Sequence, residues 1–94
     1  MKEDVVSVAA MDGYRLHVEF ADGAIGTADL RNLVMEHPAY RALKDHAVFN
    51  GAFVHPELKS VCWAGGIDIA PETLRHLATG EPYPSWMEAG SRVR

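Results

Sequence analysis

Val61-Cys62-Trp63-Ala64-Gly65-Gly66-Ile67-Asp68-Ile69-Ala70-Pro71-Glu72-Thr73-Leu74 reads as a buried strand, a glycine turn, an acidic residue and a helix opened by proline. The apolar run Val61 to Trp63 suits a strand covered by other chain, and the paired glycines tolerate positive φ without a steric penalty. Pro71 fits a first-turn helix position, where its missing N–H costs little. Leu74 and Leu77 give that helix an inner face, and Gly80 is a natural stop in the left-handed conformation. Such a joint projects polar groups beside a helix N-terminus. Upstream, Gly51-Ala52-Phe53-Val54 predicts a partner strand for Ser60 to Trp63, the two forming a hairpin through His55-Pro56-Glu57-Leu58-Lys59.

The N-terminal third predicts three further strands. In Tyr14-Arg15-Leu16-His17-Val18-Glu19-Phe20 the alternation is strict: Tyr14, Leu16, Val18 and Phe20 face one way, and Arg15, His17 and Glu19 the other. That period of two marks a strand with one solvated face. Before it, Asp4 to Ala10 places Val6 and Val8 on one face, with Val5 and Ser7 opposite. After it, Ala21-Asp22-Gly23 suits a hairpin turn into Ala24-Ile25-Gly26-Thr27-Ala28. Asp29 then reads as the N-cap of a helix over Leu30 to Glu36, ended by His37-Pro38 because the residue before proline avoids the α region. A second helical piece over Ala39 to Lys44 buries Tyr40 and Leu43, and Asp45 caps a last turn ending at Phe49. The fold class is therefore α+β: a small antiparallel sheet, built of a three-stranded meander and a later hairpin, with two or three short helices. Residues 1–80 form one domain, and 81–94 are a tail rich in proline and aromatic side chains.

Ninety-four residues support one core and leave no room for a deep cleft between lobes. No apolar run approaches the roughly 18 residues of a membrane span, and no signal-peptide stretch follows Met1, so a cytoplasmic location without membrane contact is expected. The single cysteine, Cys62, excludes an intramolecular disulfide and a Cys-x-x-Cys motif. A net charge of −4 with scattered basic residues disfavours nucleic acid, whose binding draws on clustered Lys and Arg. It suits solubility or docking to a basic protein.

The order of features from Tyr14 onward resembles the bacterial family catalogued as domain of unknown function 2442. The matching pieces are Asp22-Gly23 after a strand, Asp29-Leu30 opening a helix, the Leu43-x-Asp45-x-x-x-Phe49 spacing, and Trp63-x-x-Gly66-x-Asp68-x-Ala70-Pro71-x-x-Leu74. The similarity covers roughly residues 4 to 78. The sequence departs from the family pattern at Ala64 and Gly65, where proline and asparagine typically precede the glycine. The resemblance implies a small α+β domain of uncharacterised function. Some members are fused to helix-turn-helix segments, and others are encoded beside a short partner in what resembles a toxin–antitoxin arrangement. No helix-turn-helix region is legible after residue 80, so that part does not carry over.

Six residues form the candidate interaction set: Trp63, Gly65, Gly66, Asp68, Tyr83 and Trp86. Asp68 is able to bind a cation or a partner's arginine, but the simpler reading is a charge that complements the helix dipole or caps exposed N–H groups. Trp63 has the side chain of an interface hot spot, although a hairpin tryptophan is more often a core residue. Gly65-Gly66 lacks the Lys and Ser/Thr of a phosphate loop, which favours a tight turn. Tyr83 and Trp86, flanked by prolines, suit either docking on another chain or folding back over their own domain. The five histidines, His17, His37, His46, His55 and His76, have no metal-ligand spacing, and Cys62 has no local companion that would activate it. No cofactor and no metal are expected.

The leading expectation is a protein-interaction module with a small protein partner, the antitoxin-like or regulatory member of a two-protein system. The alternatives are a DNA-binding regulator acting as an oligomer, and a small ligand-binding domain or enzyme centred on Asp68 and the Gly65-Gly66 turn. A homodimer through a free sheet edge or through Trp86 is also expected, because open edges invite pairing.

Overall fold

The computed structural model describes residues 3–81. Strands β1 (Val5–Met11), β2 (Arg15–Phe20) and β3 (Ile25–Asp29) form an antiparallel meander. Helix α1 (Arg31–Glu36), a 3-10 helix (Pro38–Lys44) and the short α2 (His46–Phe49) lead to a second antiparallel sheet. Its strands are β4 (Phe53–Val54), β5 (Val61–Trp63) and β6 (Ile67–Ile69), and α3 (Pro71–Thr79) follows. The architecture is α+β.

Alternation in β2 buries Leu16, Val18 and Phe20 and exposes Arg15, His17 and Glu19. Tyr14 is buried just before the strand with φ of 59°, a left-handed conformation that costs a bulky residue about 1–3 kcal/mol. Its surroundings hold it there: the phenol donates to the Lys44 carbonyl at 2.6 Å, and the ring stacks on His46 and meets Phe49 edge-on. The Tyr14 carbonyl also accepts the Leu30 N–H.

The expected facing of β1 is corrected by a bulge. Val5 pairs with Phe20 and Ser7 with Glu19, leaving Val6 as the extra residue. A bulge shifts the side-chain alternation by one, so Val5 joins Val8 and Ala10 on the inner side while Val6 is exposed. Asp29 stands one residue earlier than an N-cap; Leu30 is the cap, yet the Asp29 carboxylate still accepts the Arg31 N–H at 2.9 Å. His37 ends α1, and its Nδ1 caps the 3-10 helix through the Ala39 N–H. Asp45 caps α2 through the Ala47 N–H. At the end of α3, Gly80 takes φ of 79° and returns its N–H to the His76 carbonyl.

Two contacts fix α3 against the meander. At Gly26 the helix approaches so closely that a Cβ would stand 2.3 Å from the Ala78 carbonyl oxygen. Nearby, the guanidinium of Arg75, buried in the fold, makes a bidentate pair with Asp22 at 3.1 and 2.8 Å. It also bonds Glu81 at 3.1 Å and lies 5.1 Å from the centroid of the Phe20 ring. The hydrogen bonds it donates to Asp22 and then Glu81 raise its pKa above the usual arginine value, against the opposing effect of burial.

Strands of two or three residues are not stable alone, and the second sheet is held by the core. Val61, Trp63 and Ile69 face inward and are buried. The Trp63 indole N–H donates to the Phe49 carbonyl at 2.9 Å, with the two rings 5.9 Å apart. Val5 N–H bonds the Lys59 carbonyl at 2.9 Å and so joins β1 to the β4–β5 connection. Replacing Gly26 by Ala forces α3 away from β3; a loss of about 1–3 kcal/mol, read as a lower urea midpoint, is expected.

Candidate functional site

The second sheet presents its other face outward. Phe53 pairs with Cys62 and Cys62 with Asp68, so these three side chains form one cross-strand row. The row lies opposite to Val54, Val61 and Ile69, which serve the core, since alternate residues point to opposite faces. Phe53 and Leu58 are 45% and 60% exposed, and Cys62 between them is 7% exposed. Together with His55 and the Ala64 to Asp68 hairpin they line a shallow groove of about 460 Å³. A second groove of about 400 Å³ lies on the Tyr40 side of the same hairpin, sharing Gly65 to Asp68 with the first.

Local backbone chemistry shapes this surface. Ala64, Gly65 and Gly66 form the three-residue turn between Trp63 and Ile67, which are paired. Gly65 and Gly66 both have positive φ, at 92° and 84°, so the paired glycines are a turn device. In the β4–β5 connection, His55 Nδ1 accepts the Glu57 and Leu58 N–H groups at 3.1 Å. That bond fixes the ring and presents Leu58 at the groove. Lys59 takes φ of 56° as the chain turns back, and its N–H bonds the His55 carbonyl at 2.9 Å. Ser60 Oγ lies 3.8 Å from Cys62 Sγ.

The groove contains a thiol, an imidazole and a carboxylate, which invites a catalytic reading. His55 Nδ1 is occupied as an acceptor by two backbone donors, and among the described residues no hydrogen bond joins it to Cys62. A nucleophile activated by an adjacent base is held within hydrogen-bond reach of it. The groove is largely apolar, with the exposed Asp68 at its rim.

The candidate residues from the sequence divide. Gly65, Gly66 and Asp68 meet at the hairpin, and Asp68 is exposed. Trp63 is 1% exposed and bonded to Phe49, so its side chain is a core element and not a contact for a partner. Asp68 does not cap α3; the N-cap is Ala70, which makes no side-chain cap bond. Instead the Asp68 carbonyl accepts the Tyr40 phenol at 3.2 Å. Tyr83 and Trp86 lie outside the described residues. Sequence reasoning missed Phe53 and Leu58 as surface groups, because Phe53 reads as a core strand residue and Leu58 as part of a loop. It also missed β6, whose three residues read as a polar joint around Asp68. His37 and His55 are turn caps, His46 stacks on Tyr14, and His76 Nδ1 lies 2.7 Å from the Glu81 carbonyl.

This chain belongs to the DUF2442 family, proteins of unknown function, which its residues 5–80 match. Among solved structures it is similar to the crystal structure of a Nitrosomonas europaea protein named "Putative DNA Binding Protein". The TM-score is 0.76 at 19% sequence identity, with 94% of this chain covered. The likeness extends over 61% of that protein's length and establishes a shared fold. No curated protein matches the sequence.

Among the described residues no group of three or more His, Cys, Asp or Glu side chains is placed to hold a metal ion, and no helix is long and apolar enough to cross a membrane. Burial first, and the Asp68 charge second, raise the Tyr40 pKa above 10.0. The neutral phenol therefore stabilises the fold below pH 10, and that contribution is lost as pH rises through the folded-state value. Asp68→Asn removes only the charge, so an ultraviolet tyrosinate titration is expected to place Tyr40 closer to its ordinary value but still raised.

Proposed function

We propose that this chain is a protein-interaction module that docks a small protein partner on the outer face of its second sheet. The observation that carries the reading is the Phe53–Leu58 groove. It gathers two of the six large hydrophobics exposed among the described residues, above a floor formed by Cys62. An apolar side chain seated there removes both from water, at about 25 cal/mol per Å² of apolar surface buried. Asp68 at the rim supplies a counter-charge for a basic group on the partner. The groove's supports are rigid: His55 is bonded to two backbone donors, and Trp63 anchors β5 in the core. Preorganisation of this kind lowers the entropic cost of association.

The antitoxin-like or regulatory role in a two-protein system rests on the family resemblance together with this surface. A DNA-binding regulator is the second reading, favoured by the name of the Nitrosomonas europaea neighbour. The net charge of −4 opposes it, because phosphate contacts require clustered cations. A mobility shift at low salt would support that alternative, and its absence there would remove it.

The test is capture from the native host under mild salt by three forms of the full chain: unchanged, Leu58→Glu, and Arg15→Ala on the outer face of the meander. A stoichiometric small protein is expected with the unchanged and Arg15→Ala chains. Leu58→Glu is expected to weaken its capture about tenfold or more, the scale of an interface hot spot. Equal capture by all three would contradict the assigned surface, and capture of nothing by any form would contradict the interaction reading itself.

A further inference from the structure

We propose that the small protein partner docks by adding an extended segment to the free edge of β6, with a basic residue opposite Asp68 and apolar residues beside it. This deepens the docking reading of the second sheet, on which it rests, by naming what docks. β6 is the last strand in the order β4-β5-β6, and the register shows which of its groups face outward. The His55 N–H bonds the Ser60 carbonyl at 2.8 Å. The next pairs along are Val54 with Val61 and Phe53 with Cys62. Hydrogen-bonded and non-hydrogen-bonded pairs alternate in an antiparallel ladder, so Cys62 directs its N–H and carbonyl to β4. Asp68, which stands opposite Cys62 on the other side, therefore turns its own N–H and carbonyl away from β5.

The Tyr40 phenol agrees with that parity, since it donates to the Asp68 carbonyl at 3.2 Å. The Asp68 N–H meets no acceptor among the described residues. An unpaired edge peptide is a template for another strand, and strand addition is a recurring mode of peptide recognition. Room for a strand is present. The groove of about 400 Å³ lined by Ala39, Tyr40 and Gly65 to Asp68 runs beside this edge. A Cβ at Gly65 or Gly66 would meet nothing within 4 Å, so another backbone can approach closely there. The Tyr40 bond is long for an O–H donor, and an incoming N–H replaces it.

The same register sets the partner's side chains. In an antiparallel pair, a residue directly opposite Asp68 lies on the face of Phe53, Cys62 and Asp68 and continues that row. The exposed Asp68 carboxylate favours Lys or Arg at that position, with the aliphatic stem lying along the apolar row. Its two neighbours point to the opposite face, towards Ile67 and the Tyr40 ring, which favours apolar side chains. The segment therefore reads apolar, basic, apolar.

The probe is a blocked pentapeptide, Thr-Val-Lys-Val-Thr, titrated by NMR into the isotope-labelled full chain at millimolar concentration. A saturating shift of the Asp68 amide and of the Tyr40 ring resonances is expected. The same peptide N-methylated at Lys, which lacks the donor for the Asp68 carbonyl, is expected to bind about tenfold more weakly. Tyr40→Phe keeps the ring and frees the carbonyl, so it is expected to bind the pentapeptide about two- to tenfold more tightly. Replacing the peptide's Lys by Glu is expected to weaken binding several-fold, and Asp68→Asn to shrink that difference; this variant serves if Tyr40→Phe misfolds. Absence of any Asp68 shift in both the unchanged chain and Tyr40→Phe would overturn the proposal, as would equal binding of the N-methylated peptide. An Asp68 amide that moves on dilution of the chain alone would overturn it in favour of a second copy at this edge. If Leu58→Glu weakens partner capture while no peptide moves Asp68, the docking surface stands and strand addition fails. Failure of both would remove the site.

Discussion

The burial of Trp63, with its indole N–H on the Phe49 carbonyl, is the constraint on which the second sheet depends. Strands of two and three residues contribute too few ladder bonds to persist by themselves. A tryptophan in the core supplies the missing stabilisation, since truncating one typically costs about 3–5 kcal/mol. The hydrogen bond also satisfies a donor that would be expensive to bury alone. Once Trp63 and its neighbours Val61 and Ile69 are committed inward, the alternation of the sheet leaves no choice for the other face. Phe53, Cys62 and Asp68 must point outward, and the groove follows from that parity.

The Arg75 cluster performs a related task at the edge of the meander. A guanidinium buried to this extent is costly unless paired and hydrogen-bonded, and here Asp22, Glu81 and the Phe20 face together meet that need. Among the described residues no buried side-chain nitrogen or oxygen lacks a partner. The cluster links the β2–β3 turn to α3 and to Glu81, the second residue beyond it.

Much of this fold is legible in the sequence where the signals are local. The alternation of β2, the Asp-Gly turn, the Asp45 cap, Pro71 opening α3 and Gly80 closing it each rest on residues within a few positions of one another. The meander and the α+β class follow from them. The illegible features depend on distance or on one inserted residue. The bulge at Val6 reverses the facing of Val5 without any compositional sign. Arg75 reads as a solvated helix position until Asp22, 53 residues away, is brought beside it. The site was half legible: the glycine turn and Asp68 are visible as a joint, but Phe53 and Leu58 reach the surface only because Trp63 takes the inner side. Tryptophan itself, the residue type most suggestive of an interface, proved to be the anchor behind the surface.

Amide hydrogen exchange, measured on the chain alone and in the assembly recovered from its native host, addresses the docking surface most directly. The account predicts slower exchange in the assembly at Phe53 to His55, Leu58 to Cys62 and Asp68, with Arg15, His17 and Glu19 on the open face of the meander unchanged. Slowing confined to the meander or its edge strands, with the second sheet unaffected, would contradict it.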